Sequence, residues 1–358
     1  MRASDVIKHR LRTAARRLGA RDPLESLGGV IERSFDLPLG DPRYGNNSLA
    51  PGFLPIEHSF SELTPQALRL DMELAGPTAS PFSRREETSR EVRRIVHQHY
   101  GRPALRFFDE RSEGWRTGSI SGRARYGAFF GAAFDEQGPV EVKSYYEMEP
   151  DQVNALPPNL QHAVRVAIAA LPGLQPIFTS VACGRARGAQ RVYLFHPGEL
   201  RLLDLEPLMH QLGIGQQLPS VLAALGVITG GRFTLPAGST VIGLRDTPRG
   251  MEMKLEILLP AFTDPPEQMH GLIQLHLAQR PEAQRALRQW MQAMTPDDAE
   301  GPGDMSVVGV RVNPDLPARL NIYFRPNEAR PRTNEVAADR AASRRSVGGD
   351  PYAQGLRH

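Results

Sequence analysis

The sequence predicts an α+β fold in which ten antiparallel strands, arranged as five ββ hairpins, close into a barrel ringed by α-helices. Three observations predict it. Five segments share one form, an apolar run of period two closed by proline: ALRLDMELAGP (67–77), VEVKSYYEMEP (140–150), QRVYLFHP (190–197), MEMKLEILLP (251–260) and RLNIYFRP (319–326). Each follows turn residues and a second alternating run, which is the signature of a hairpin. Helical patterns fill the intervals, and the proline stops recur about every 50–70 residues, as a repeated unit would. Ten strands in an open sheet leave two edges to protect, and closure removes them. A barrel of ten is wider than the eight-stranded size that side chains fill, so it has room for a ligand. Outward strand positions should then be apolar, under the helices, and inward positions free to be polar.

The elements follow in order. MRASDVIKHRLRTAARRLG reads as a basic surface helix without the apolar core of a signal peptide, and residues 1–44 as a helical segment on or near the barrel. FLPIEHSF, a turn at Leu63-Thr64-Pro65-Gln66 and the first closing run make hairpin one. SRREETSREVRRIVHQHYG (83–101) starts on serine and stops on glycine, as helices do. ARYGAFFGAAF and Asp135-Glu136-Gln137-Gly138 lead into hairpin two, and PNLQHAVRVAIAALPG (158–173) is the next helix. PIFTSVACG with Arg187-Gly188-Ala189 opens hairpin three, and two short helices follow within 198–227, around Gly213–Gln217. STVIGLRD with Thr247-Pro248-Arg249-Gly250 opens hairpin four; two helices in 266–294 break near Pro281; SVVGVRV with Asn313-Pro314-Asp315 opens hairpin five. The barrel domain spans 45–326. The tail, 327–358, is rich in Arg, Ala, Ser, Asn and Gly, has no apolar period and is expected to be disordered.

Composition excludes several function classes. The 358-residue chain carries a net charge of only +3, with no run of Lys/Arg, so a nucleic-acid partner is not expected. No apolar run is long enough for a membrane span. The single cysteine, Cys183, forms no internal disulfide and no CxxC metal site; it reads as a small buried apolar residue, with the reducing cytoplasm as the expected compartment. The ten histidines show no HExxH spacing. Asp297-Asp298, in TPDDAEGPGD, lacks the spacing and helical context of an Asp-rich magnesium motif and reads as a solvated loop. Trp290, among apolar helical neighbours, reads as core.

The inward face carries the chemistry. The five closing strands each place a cation near the start of one face: Arg69-x-Asp71, Lys143-x-Tyr145, Arg191-x-Tyr193, Lys254-x-Glu256 and Arg319-x-Asn321-x-Tyr323. Three of them add a tyrosine on that face. Cations converging in a cavity demand a multivalent anion, because unpaired buried charge is costly. A diphosphate meets the demand, with Arg binding as a fork and Lys as a point charge. Tyrosine rings beside it suit a cationic species. Together these point to an allylic diphosphate that ionises to a carbocation.

The five-hairpin order, the repeated basic-x-Tyr strands and PIEHSF followed by LRLDMEL resemble the aromatic prenyltransferases of the ABBA (PT) barrel type, nearest to the dimethylallyltryptophan synthase branch, over roughly residues 45–326. That branch has a Pro-x-Glu-x-Ser motif on the first strand and a diphosphate-binding Arg on the next, matched here by Pro55, Glu57, Ser59 and Arg69. The resemblance implies a metal-independent transfer of dimethylallyl from its diphosphate to an indole or tryptophan-type acceptor in secondary metabolism, with no cofactor and no Mg2+ requirement. Glu57 would hydrogen-bond the indole N–H and assist proton loss. Arg69, Lys143, Arg191, Lys254, Arg311 and Arg319 would bind diphosphate, and Tyr145, Tyr193 and Tyr323 would shield the cation. The chain departs from the pattern at Glu256, where an aromatic shield is expected, at Ala189, where a further basic residue is common, and at Asn321, where a tyrosine is common. These departures bear on acceptor and donor size. Tyrosine, phenol or cyclic dipeptide acceptors, a longer prenyl donor, and a non-catalytic barrel binding a phosphorylated small molecule are the alternatives. The oligomeric state is open between monomer and homodimer.

Overall fold

Period-two alternation becomes strand pairing at all five hairpins of the computed structural model, which describes residues 1–118, 122, 124–266, 268–297 and 299–326. The tail expected at 327–358 and Asp298 lie outside the described residues. The hairpins are β1 (Ile56–Ser61) with β2 (Leu68–Met72), β3 (Ala128–Asp135) with β4 (Gly138–Glu147), and β5 (Gln175–Gly184) with β6 (Gly188–His196). A two-residue ribbon, β7 (Leu200–Arg201) on β8 (Thr234–Leu235), stands apart. The remaining hairpins are β9 (Thr240–Thr247) with β10 (Gly250–Leu258) and β11 (Asp304–Asn313) with β12 (Leu316–Arg325). The ten long strands close in the order β1-β12-β11-β10-β9-β6-β5-β4-β3-β2, antiparallel throughout. Closure is made by β1 on β12, with Ser59 opposite Tyr323 and Phe60 opposite Ile322. The fold is the helix-ringed, ten-stranded barrel that the sequence predicts.

Because side chains alternate across a strand, each strand divides its residues between two environments. Ile56, Phe60, Leu68, Leu70, Val142, Leu194, Leu244, Leu255, Val310, Leu320 and Ile322 belong to the main apolar core, between strands and helices. Their alternate neighbours, including Arg69, Lys143, Arg191, Lys254 and Arg311, line a cavity inside the barrel. A second apolar cluster of Tyr126, Phe129, Tyr145, Phe178, Tyr193, Phe195 and Val241 is separate from the main core.

The helices coat the outside. α1 (Ala3–Leu18) packs on α2 (Leu24–Ser34) and on α8 (Pro281–Met294), burying Ala3, Ile7, Leu11, Ala14 and Ala15 along one face. α3 (Pro81–Thr117) covers β3, β4 and β5. It is two helices joined at Gly101, whose φ of 80° only glycine adopts readily. The glycine stop in the sequence is therefore real, but helix resumes at once through Pro103 and buries Phe108 and Trp115. α4 (Pro158–Ala170) lies on β6 and β9; α5 (Glu206–Gln211) and α6 (Leu218–Ile228) follow, with α6 on β11 and β12; α7 (Met269–His276) precedes α8. Trp290 of α8 is fully buried, with ring centroids 6.0 Å from Phe60 on β1 and 5.4 Å from Phe324 on β12. It thus covers the closing seam. Cys183 is buried and its thiol is pushed up to about 12 by burial, so it is inert. No helix among the described residues is long and apolar enough to cross a membrane.

Candidate active site

The cavity offers water about 160 Å3 of room and is lined mostly by side chains from the hairpin-turn halves of the strands, with Leu63 and Thr64 of the first turn among them and Tyr193, Asn321 and Tyr323 from further along β6 and β12. Six cations line it: Arg69 on β2, Lys143 on β4, Arg191 on β6, Arg245 on β9, Lys254 on β10 and Arg311 on β11. Strand register explains the convergence. Arg191 stands opposite Arg245, and Lys254 opposite Arg311, in neighbouring strands. Five of the six were expected from sequence. Arg245 was not, because the repeated basic pattern was read on the closing strands and Arg245 is on the opening strand of hairpin four, β9.

Each cation has a resident carboxylate. Arg69 lies 3.5 Å from Glu141 and donates to the Thr64 hydroxyl at 3.0 Å. Lys143 is 3.8 Å from Asp71 and 3.9 Å from Glu141. Glu252 contacts Arg191, meets Arg245 at 2.6 Å and lies 3.6 Å from Arg311. Lys254 donates to Glu256 and to the Tyr323 hydroxyl. Burial opposes ionisation of Glu141, but Lys143, Arg69, Arg311 and Arg245 override it and hold the carboxyl at about 2. Burial also dominates at Lys254, lowering its ammonium to about 8 although Glu256 pulls the other way. Three guanidinium N–H groups, the Nε of Arg191, Arg245 and Arg311, are buried without a hydrogen-bond partner. The site therefore holds more donor capacity than its own carboxylates fill.

Aromatic rings lie directly against the cations. The Lys143 ammonium is 4.9 Å from the Tyr145 ring centre, the Lys254 ammonium 4.7 Å from that of Tyr323, and the Arg191 guanidinium 5.9 Å from that of Tyr193. Tyr193 and Tyr323 line the cavity. Tyr145 does not; it packs 6.0 Å from Tyr193 and edge-on to Phe178 at 5.7 Å. Phe178, 4.3 Å from Tyr193, was missed because the repeated pattern lies on the closing strands and Phe178 is on an opening strand, next to a register shift. Burial raises the Tyr145 and Tyr323 phenols well above their ordinary range, so both rings stay neutral.

Glu57 is outside the cavity lining, two residues further from the first turn than Ser59, which lines it. Its carboxylate accepts from Arg325 Nε at 3.2 Å. Burial raises its pKa above the ordinary carboxylate range against the opposing field of Arg325. Arg319 is the expected cation that the cavity does not include. Its Nε lies 3.5 Å from Glu62, which Arg280 also contacts at 3.0 Å, so it joins an ion cluster beside the first turn. That partnership links residues far apart in sequence and could not be read from it. Asn321 and Ala189 both line the cavity, Ala189 two residues before Arg191 on its strand. Among the described residues, no group of three or more His, Cys, Asp or Glu side chains is placed to hold a metal ion.

No protein-family model matches the sequence, and no curated protein matches it. Solved structures do. The crystal structure of 6-dimethylallyltryptophan synthase from Micromonospora olivasterospora, in complex with DMASPP and Trp, superposes with a TM-score of 0.70 at 17% identity, covering 92% of this chain and 99% of that one. The apo form of prenyltransferase PriB gives 0.68 at 15% identity, with 92% and 97% covered. The 5-dimethylallyltryptophan synthase from Streptomyces coelicolor gives 0.66 at 16%, with 92% and 99% covered. This chain's closed ten-stranded barrel under its coat of helices, superposed over nearly the whole of each of these chains, assigns this protein the ABBA prenyltransferase-barrel fold.

Proposed function

We propose that the chain is an aromatic prenyltransferase that moves a dimethylallyl group from dimethylallyl diphosphate to an indole-type acceptor, tryptophan or a derivative, by metal-independent Friedel–Crafts alkylation. The observation that carries this reading is the adjacency of six cavity-lining cations and a cluster of aromatic rings inside one barrel. The similar barrel from Micromonospora, crystallised with DMASPP and Trp, supports the choice of ligands.

The steps follow from the geometry. Arg69, Lys143, Arg191, Arg245, Lys254 and Arg311 bind the diphosphate and stabilise the negative charge that grows on it as the allylic C–O bond breaks, its electron pair leaving with the diphosphate. The allyl cation is held against Tyr193 and Tyr323, backed by Tyr145 and Phe178, and kept from water. The acceptor ring attacks, forming the C–C bond. Glu57, made more basic by burial, accepts a hydrogen bond from the acceptor N–H, which stabilises the cationic ring adduct, and Glu57 or a relay through it takes the proton lost from the alkylated ring carbon, which restores aromaticity. The protein's own cations carry the charge stabilisation that Mg2+ supplies in Asp-rich prenyl-transfer sites.

The test is purified protein with dimethylallyl diphosphate and a panel of indoles, phenols and cyclic dipeptides, with and without EDTA, read by mass spectrometry. Addition of one dimethylallyl group to an indole that survives EDTA is the expected result. Absence of any adduct, with pyrophosphate still bound, would instead favour a non-catalytic binding barrel.

A further inference from the structure

Glu252 is a buried carboxylate that holds three of the cavity cations at once, and the proposed reaction has no use for it. It stands two residues before Lys254 on β10, hence on the same inward face, and is 2% exposed. Its carboxylate is held by guanidinium groups from three other strands: Arg191 on β6, Arg245 on β9 and Arg311 on β11. These are half of the cations that line the cavity. The fit is incomplete. The Nε of each of the three arginines is buried and unpartnered, and Arg311 Nε lies 3.6 Å from the carboxylate, beyond a hydrogen bond. Glu252 therefore fills a site with more donors than one carboxylate can use. A ligand with more acceptor oxygens and more negative charge would satisfy it better. Burial disfavours its charge, yet the three arginines keep the carboxyl below its ordinary range, so it competes as an anion.

We propose that Glu252 is an internal counter-ion which holds the arginine cluster in the free protein, gives it up when diphosphate binds, and returns to it as the product diphosphate leaves. The proposal rests on the reading of the cavity as a diphosphate site. Its functional sense is release. A cluster of six cations, two of them buried and four partly buried, would retain inorganic diphosphate tightly, and a tethered carboxylate lowers that affinity and speeds departure. Arg69 and Lys143 have looser partners of their own and do not depend on Glu252.

The experiment is calorimetric titration of wild type and Glu252→Gln with inorganic pyrophosphate and with inorganic phosphate. Removing one buried negative charge beside the ligand should tighten pyrophosphate by about tenfold or more. Phosphate, carrying less charge, should gain less. Glu252→Gln should also show slower pyrophosphate dissociation and stronger product inhibition. Because the substitution could disturb folding, wild-type crystals grown with pyrophosphate give an independent readout: the Glu252–Arg245 contact, 2.6 Å here, should open. Equal or weaker pyrophosphate binding by Glu252→Gln, or a bound diphosphate with Glu252 still clamped, overturns the counter-ion role and leaves the diphosphate site standing. Failure of both proteins to bind pyrophosphate overturns the diphosphate reading itself.

Discussion

Lys143 reaches the cavity across a position on the neighbouring strand that carries no side chain. Gly131 is its cross-strand partner, and a Cβ placed there would meet Lys143 Cε at 2.5 Å. Gly243 and Gly309 make similar room for Arg191, Tyr193 and Glu256. Gly131→Ala should push the lysine aside and weaken pyrophosphate binding roughly tenfold, the scale of one charge-assisted hydrogen bond, while the melting temperature changes little; calorimetry and a thermal scan check both. Titration should expose two further residues. As the proposed base, Glu57 must be ionised to take a proton, and burial raises its pKa above 4.5, so kcat should fall with acid through a limb above that value. Glu57→Gln should cut turnover by about 100-fold or more and remove the limb. Lys254 is charged only below about 8, so kcat/KM for the donor should decline above that pH as the free protein loses a cation. A flat profile from pH 6 to about 9 would contradict this assignment. At this scale the sequence was informative where basic residues alternate with apolar ones, as in VEVKSYY and MEMKLEI. It was silent where a role depends on a partner from another strand. Glu252 and Glu141 look like ordinary polar positions until the register sets them beside arginines, and Arg319 looks equivalent to the other cations until Glu62 claims it.

Hairpins were the most legible elements, since each turn lies between two alternating runs, and strand existence follows from short-range pattern. Helix extent was less legible. Gly101 ends one helix in the sequence, but ALRFFDERSEGW continues with apolar spacing, and packing of Phe108 and Trp115 restores the helix beyond the break. Tertiary packing overrides the local stop there. Closure was an inference from edge protection, and the structure shows what secures it: Trp290 bridges Phe60 on β1 and Phe324 on β12 over the seam. Trp290→Ala should cost about 3–5 kcal/mol of stability, read by urea unfolding. A loss below about 1 kcal/mol would show that the seam does not depend on this ring. Elsewhere a single carboxylate fixes a loop to the barrel. Glu147 accepts backbone N–H bonds from Arg125, Tyr126 and Gly127, which sets the start of β3 and the stacking of Tyr126 on Phe129 at 4.0 Å.

Across the whole molecule, closure and charge belong together. An open sheet would leave the six cavity cations in water, where they would attract a diphosphate weakly and salt would screen them. Enclosed, they act at low dielectric, and so do the carboxylates Glu141, Glu252, Glu256 and Asp71 that balance most of their charge in the free protein. The net excess of positive charge, rather than any single contact, would hold the donor. The most direct measurement is a crystal structure with dimethylallyl thiolodiphosphate, a donor analogue that does not ionise readily. The diphosphate should lie among Arg191, Arg245, Lys254 and Arg311, with the allyl chain against Tyr193 and Tyr323. A donor bound outside the barrel, or a chain pointing away from those rings, would contradict it.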